Sequence, residues 1–168
     1  MRNLVYDHRF NANEWFVILL LIAGLAVTFS LPRRFPMKQS AVFFIFGLFG
    51  GLFLDHTISV YPIDFYDVND ASRYEWMDFL TYLMYSPFSY LYAYCLDKWK
   101  IRPAHVPLYI IAWGLISTGL EGLAVLAGVF HYKNGYGIFF SFPIYLIMNS
   151  FYTMLLYAIQ GLPRRENV

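Results

Sequence analysis

Residues 47–62 read GLFGGLFLDHTISVYP, and this stretch decides how the rest of the chain is interpreted. Together with the apolar residues that precede it from position 41, it is long enough to cross a bilayer, for which a helix needs about 20 mainly apolar residues. It also carries an acid and an imidazole, Asp55 and His56, although a charge is costly to place in hydrocarbon. The stretch therefore predicts a membrane helix with a polar site near one end.

The composition extends this prediction to the whole chain. The 168 residues are 59% hydrophobic and 14% charged, whereas a soluble domain has about 25% charged residues. Because lipid offers the backbone no hydrogen-bond partner, each long apolar block is expected to be a helix. The prediction is an all-α, polytopic bundle in the cell membrane, a single integral membrane domain over residues 1–168 with the lipid bilayer around it. Its five spans are residues 14–31, 41–60, 76–96, 106–130 and 137–159.

The basic residues are distributed unevenly between the connections. Eight of the 12 Lys and Arg residues lie in three segments that would share one side, PRRFPMKQS, DKWKIRPAH and the tail PRRENV. A basic excess marks the cytoplasmic side of a membrane protein, so we expect the N-terminus outside and the C-terminus inside. The formal net charge is only +1, too little to neutralise many phosphates, and this excludes nucleic acid as a partner.

Two acids on different helices are expected at one level. With a rise of 1.5 Å per residue, Asp55 lies about 21 Å and Glu121 about 22 Å above the inner ends of their blocks. Gly47, Gly51 and Asp55 are spaced by four residues and share a face that suits close helix contact. The sequence therefore predicts an outward-facing polar pocket between helices two to five, with Glu121 as its central ionisable group.

Further polar residues are candidates for ligand binding or proton handling in the same layer. They are His56, Asp78, His131, Tyr85 and Asn149. For Tyr85 and Asn149, hydrogen bonds between helices are the favoured explanation. Asp78 lies two residues after Trp76, a residue type that favours the membrane interface, and we expect Asp78 to be exposed there.

The two outer connections carry different signals. Residues 61–75, YPIDFYDVNDASRYE, are acidic and aromatic, and we expect a solvated surface loop whose Tyr66 belongs to an interfacial aromatic belt. Residues 131–137, HYKNGYG, contain an Asn-Gly pair that is typical of a tight turn.

A metal site has weak support. Asp55, His56, Glu121 and His131 are residue types that bind zinc, but Asp55 and His56 are adjacent and point about 100° apart on a helix. No His-xxx-His spacing occurs, and no cofactor is assigned.

Three functions therefore stay open. The first is binding or transport of a small or amphipathic molecule or ion in the polar pocket. The second is an intramembrane enzyme that acts on a lipid or isoprenoid-like substrate by acid–base or metal-assisted chemistry. The third is a structural or partner subunit, in a complex with another membrane protein or with further copies of this chain.

A longer motif adds a resemblance. Residues 113–137, WGLISTGLEGLAVLAGVFHYKNGYG, combine an aromatic-rich helix and a central Glu with a following His-Tyr pair. With YSPFSYLY at 85–92 and PRR at 32–34, the chain resembles a family of small five-helix integral membrane proteins of spore-forming Gram-positive bacteria, which have no established activity. The resemblance implies a bacterial inner or spore membrane and singles out Glu121, His131 and Tyr132.

Overall fold

The computed structural model describes residues 9–70 and 74–161, and this part of the chain folds as five α-helices with short connections. The helices are α1 (Ala12–Ser30), α2 (Met37–Ile58), α3 (Trp76–Lys98), α4 (Val106–Leu126) and α5 (Ile138–Gln160). A 3₁₀ turn, Pro103–His105, precedes α4, and two short strands, β1 (Tyr66–Val68) and β2 (Phe130–Tyr132), pair with each other. Each predicted block therefore corresponds to one helix, and the predicted helical class is confirmed.

Four of the helices, α1, α2, α4 and α5, are long and apolar enough to cross a membrane, whereas α3 is not among them. The reason is composition, because α3 carries five tyrosines together with serine, threonine and aspartate. More than half of its residues are buried, and it packs against α1, α2 and α5. Polar side chains are tolerated on α3 because its neighbours, rather than the surroundings, cover them.

Close packing between α2 and α3 depends on the predicted glycine stripe. A Cβ atom added at Gly47 would lie 2.7 Å from the backbone oxygen of Tyr85, and one added at Gly51 would lie 2.6 Å from the Tyr85 ring. Neither position has room for a side chain as the helices stand. The glycines therefore let the two backbones approach each other, as small residues do at helix contacts.

The start of α1 is fixed by a capping box. Asn11 accepts a hydrogen bond from the Asn13 backbone at 3.2 Å, and the Glu14 carboxylate accepts one from the Asn11 backbone at 2.7 Å. These contacts satisfy amide groups that a helix leaves unpaired at its first turn. Asn13 also donates to Asp70 at 2.5 Å, which joins α1 to the segment after β1.

The connection between α2 and α3 and the connection between α4 and α5 form one antiparallel strand pair, which the sequence did not predict. Tyr66 is opposite Tyr132, Asp67 opposite His131, and Val68 opposite Phe130. Consequently the predicted end of the fourth span at residue 130 is wrong for the helix, because α4 ends at Leu126 and residue 130 belongs to β2. Gly128 makes the stop possible with φ +85°, a conformation that glycine adopts readily.

The expectation that residues 61–75 are a solvated loop is wrong for residues 66–70, whereas residues 61–63 and 74 are exposed and residues 71–73 lie outside the described part of the chain. Residues 66–70 are all buried, Tyr66 among them, so Tyr66 is not an exposed belt residue. Lys133 forms ion pairs with Asp67 at 2.7 Å and Asp64 at 2.9 Å. Burial opposes the charge on Lys133, but these carboxylates outweigh it and raise the pKa of the amine above its ordinary value.

The predicted tight turn at the Asn-Gly pair is confirmed. Asn134 and Gly135 both have positive φ, at +48° and +79°, and the Tyr136 backbone donates to the Lys133 oxygen at 2.8 Å. This is the geometry of the turns that join antiparallel segments most closely.

The opposite end of the bundle is basic. Arg33, Arg34, Lys38, Lys98, Lys100 and Arg102 lie in the connections between α1 and α2 and between α3 and α4 or in the adjacent helix turns. Arg34 forms an ion pair with Asp97 and also donates to the Asp97 backbone oxygen at 3.0 Å. This pair links the two connections. We call this region the basic end and the region around β1 and β2 the strand end.

Candidate functional site

A cavity of about 140 Å³ lies within the bundle and extends from the strand end past the middle of α3, α4 and α5. All five helices and both strands contribute to its wall. An apolar cavity of about 150 Å³ in another protein holds a benzene molecule. The cavity is therefore large enough for a small organic molecule and not merely for a water.

The wall is predominantly apolar and aromatic. Eight tyrosines and one tryptophan line it, namely Tyr66, Tyr82, Tyr85, Tyr92, Tyr132, Tyr136, Tyr145, Tyr152 and Trp113. Two carboxylates, Asp55 and Glu121, are the acidic groups in the wall, and none of the described lining residues is Lys, Arg or His. An apolar pocket with a few converging polar groups is the usual form of a small-molecule site.

Glu121 lies on α4 and is held by hydroxyl groups. Its Oε1 accepts hydrogen bonds from the Tyr132 hydroxyl and, at 2.6 Å, from Ser141 Oγ. Ser141 Oγ is in turn 2.9 Å from the Tyr136 hydroxyl. Burial and the hydrogen bond to Glu121 raise the pKa of Tyr132, and burial raises that of Tyr136. Both hydroxyls therefore keep their protons at neutral pH and remain donors.

Asp55 lies on α2 and, like Glu121, is held by hydroxyl groups. It accepts hydrogen bonds from the Tyr82 hydroxyl and, at 2.9 Å, from Ser59 Oγ. Asp55 is half-buried, whereas Glu121 is 7% exposed. Within residues 9–70 and 74–161, neither carboxylate forms an ion pair with a basic side chain.

Tyr66 of β1 lines the same cavity as the two acids. It contributes to the cavity wall from the strand pair. Burial raises the pKa of its hydroxyl, and the negative charges of Asp55 and Glu121 raise it further. Glu121 accepts a hydrogen bond from Tyr132 of β2, and Asp55 lies in the last turn of α2, so both acids lie near the strand end of the cavity.

The deeper part of the cavity contains polar groups on α3 and α5. Ser89 lines the wall, is 1% exposed, and has no partner for its Oγ within 3.5 Å in the described chain, although the Tyr152 hydroxyl, which also lines the wall, lies near it. Asn149 also lines the wall and donates to the Ile110 backbone oxygen at 3.4 Å. Ser89 is seven residues from Tyr82 on α3, which corresponds to about 10 Å along the helix. The cavity is thus elongated, with the acids near its strand end.

The structure brings together five of the eight candidate residues. Asp55, Glu121, Tyr85, Tyr132 and Asn149 all line the cavity. His56, Asp78 and His131 do not.

The three residues outside the wall have other surroundings. His56 is exposed, and its Nδ1 lies 2.9 Å from the Leu52 backbone oxygen. His131 is in β2, opposite Asp67. Asp78 is 4% exposed, so its expected interfacial exposure is wrong. Its carboxylate accepts hydrogen bonds from the Glu75 backbone at 2.7 Å and from Asn69 at 2.8 Å, which caps α3.

The metal candidates are not assembled. In the part of the chain that the structure describes, no three His, Cys, Asp or Glu side chains are grouped so that they could hold a metal ion. Asp55 and Glu121 face the cavity, but His56 and His131 lie elsewhere. The four residues that the sequence suggests as zinc ligands therefore do not form one ligand set in the described part of the chain.

Sequence reasoning did not select Tyr82, Ser141 or Tyr66 as site residues. Tyr82 and Ser141 lie on the polar stripes of the third and fifth helices, so helical periodicity could have identified both as partners of the acids. Tyr66 had no such signal, because its position depends on the pairing of β1 with β2. Comparison of the chain with protein-family models, curated proteins and solved structures gave no match.

Proposed function

We propose that the protein is a five-span membrane protein in which α3 is the central span. The proposal is supported by its length, because the 23 residues of α3 extend about 34 Å, more than the hydrocarbon core of a bilayer. α3 runs antiparallel to α2, whose Gly47 and Gly51 pack on it. A helix surrounded by apolar helices needs little apolar surface of its own.

The basic end faces the cytoplasm in this proposal. Six basic residues lie there, whereas Arg9 and Lys133 are the basic residues described at the strand end. This bias supports the orientation with the N-terminus outside. In a Cys95→Ala background, a membrane-impermeant maleimide added to intact cells should label Asn134→Cys and leave Lys100→Cys unlabelled. The reverse pattern would refute the orientation, and labelling of both or neither would refute the opposite placement of the two ends.

The function proposed for the cavity is to bind a small amphipathic molecule that enters from the strand end, in a binding or transport role. The observation that carries the proposal is the position of Glu121 and Asp55 in one cavity with an otherwise apolar and aromatic wall. Carboxylates in an apolar environment are unfavourable unless they are compensated. Hydroxyl donors hold both carboxylates in the wall. A role in binding a ligand explains this placement better than helix packing does.

Access to the cavity can be measured with a cysteine in its wall. Ser117 lines the cavity one helical turn deeper than Glu121, whereas Leu115 on the same helix is exposed on the outer surface of the bundle. In the Cys95→Ala background in lipid vesicles, we expect the neutral reagent hydroxyethyl methanethiosulfonate to modify Ser117→Cys. The matched Leu115→Cys variant should react at least tenfold more slowly, because a thiol in hydrocarbon does not ionise.

Failure of the reagent to modify Ser117→Cys would contradict a ligand-accessible cavity. Equal rates at Ser117→Cys and Leu115→Cys would contradict it as well, because the wall would then be no different from the outer surface. The folded state of each variant is checked by its thermal unfolding transition in detergent.

A further inference from the structure

The described wall of the cavity contains acidic side chains but no basic ones, and this limits which ligands the cavity can bind. The acids Asp55 and Glu121 receive hydrogen bonds from tyrosine and serine hydroxyls, which are neutral donors. No Lys, Arg or His belongs to the described wall. The charge of an ionised carboxylate in this wall is therefore left without a counter-charge from the protein, and a ligand that carries positive charge would supply it.

The remainder of the wall indicates what kind of cation fits. A metal ion such as Ca²⁺ takes six to eight oxygen ligands, and the acids are not part of any metal-binding group of side chains in the described residues. Tyrosine faces such as those of Tyr85 and Tyr145 instead attract ammonium groups and pack against apolar carbon. This combination suits an organic ammonium ion with an aromatic or aliphatic body.

Ser89 supplies an independent indication of a ligand. Its Oγ is buried in the cavity wall and has no partner within 3.5 Å among the described residues, although the Tyr152 hydroxyl of the same wall lies near it. Buried hydroxyls are nearly always hydrogen-bonded, so Ser89 and the nearby Tyr152 hydroxyl form a polar position in the wall at which a bound molecule can hydrogen-bond. Ser89 lies about 10 Å along α3 from Tyr82, the partner of Asp55.

From these observations we infer that the ligand of the cavity is an amphipathic organic amine in its ammonium form. The ammonium group lies between Asp55 and Glu121, and the body extends between the tyrosines towards Ser89, to which a second polar group can hydrogen-bond. The inference rests on the proposed binding function and specifies its ligand class.

The experiment uses three probes that share a phenol ring and differ in the charge of the other end. They are tyramine, a cation; its neutral alcohol analogue 2-(4-hydroxyphenyl)ethanol; and the anion 4-hydroxyphenylacetate. Each is added to the full-length Cys95→Ala/Ser117→Cys protein in lipid vesicles at pH 7, and the rate of modification by hydroxyethyl methanethiosulfonate is measured. Tyramine should halve the rate at a concentration at least tenfold lower than the alcohol requires, and the anion should not protect.

The same measurement on Glu121→Gln and Asp55→Asn tests the source of the preference. Each substitution keeps the size of the side chain and an oxygen acceptor but removes the charge. We expect the advantage of tyramine over the alcohol to fall in each variant and to vanish when both are combined. If the combined variant does not fold, the single variants and the comparison of the three probes on the parent protein still decide the matter.

The outcomes separate the two proposals. Equal protection by tyramine and the neutral alcohol, stronger protection by the anion, or no protection by any probe would overturn the inferred ammonium ligand. So would an unchanged tyramine preference in the folded Glu121→Gln and Asp55→Asn variants. Only failure of the reagent to reach Ser117→Cys selectively, in the absence of any probe, counts against the proposed cavity itself.

Discussion

Asp78 and Glu121 are both buried acids, with 4% and 7% of their surface exposed, but their partners differ. Asp78 accepts hydrogen bonds from a backbone amide and from Asn69, and these contacts join the start of α3 to the segment after β1. Glu121 accepts from the hydroxyls of Tyr132 and Ser141 and faces a cavity. The burial of an acid therefore does not distinguish a helix cap from an acid that lines a cavity, whereas the identity of its donors and the space beside it do.

The largest effect on stability is expected at the cap. Asp78→Ala removes the acceptor for two donors, the partly buried Glu75 backbone and the buried Asn69 side chain. Hydrogen bonds to charged groups contribute about 1.5–3 kcal/mol each, and we expect a loss of about 3 kcal/mol in the free energy of unfolding. Thermal unfolding in detergent measures it. Asp78→Asn, which keeps one oxygen, should lose less, and equal stability of Asp78→Ala and the parent protein would show that the cap is dispensable.

The second largest loss of stability is expected at the close contact between α2 and α3. Gly47→Ala places a methyl group 2.7 Å from a backbone oxygen, and overpacking of this kind costs about 1–3 kcal/mol. Gly119→Ala on α4 is the matched control, because nothing lies within 4 Å of an added Cβ atom there. The melting temperature should fall for Gly47→Ala and stay within error or rise for Gly119→Ala. Equal behaviour of the two variants would mean that this contact is not closely packed.

A smaller effect is expected at Lys133, and it depends on pH. The folded protein raises the pKa of Lys133, so the pairs with Asp67 and Asp64 stabilise the fold below the ordinary lysine value of 10.5. This contribution is lost as the pH rises through the raised value. Partly exposed pairs contribute about 1 kcal/mol or less. Lys133→Gln should therefore melt below the parent protein at pH 8, and the difference should shrink at pH 12. A constant difference would exclude a role for the charge.

The smallest effect on stability is expected at the cavity acid. Glu121→Gln keeps an oxygen that can accept from Tyr132 and Ser141, and we expect the free energy of unfolding to change by less than about 1 kcal/mol. Thermal unfolding of this variant beside Asp78→Asn tests the comparison directly. If Glu121→Gln is the less stable of the two, Glu121 is a structural group and does not differ in role from the capping residue Asp78.

The sequence predicts the helices well because each is determined by its own residues. The apolar run around Gly47 and Gly51 fixes both the helix and its contact face, and even the polar α3 was expected at nearly its observed bounds. The end of α4 was missed because apolar residues continue past it, although Gly128 is the residue type that terminates helices. The prediction followed the continuing hydropathy rather than the helix stop that Gly128 indicates.

The candidate site was less predictable because it depends on residues that are distant in the chain. Helical spacing brings Asp55 and Glu121 to one level, but it does not indicate that Tyr66 lies beside them. Asp78 was expected at the surface because no feature of the sequence places Asn69 against it. His56 is adjacent to Asp55, yet a helix turns it about 100° away, and it is exposed. The sequence therefore did not determine which distant segments contact each other or in which direction a side chain such as that of His56 points.

The pairing of β1 with β2 sets an order for biosynthesis. The two strands are about 60 residues apart in the chain, and translation proceeds at roughly 5–20 residues per second. For several seconds after β1 has been made, its backbone and the carboxylate of Asp67 await a partner that the ribosome has not yet produced. The newly made chain therefore pairs β1 only once α4 and β2 have emerged, and it completes the cavity wall only after α5 has followed.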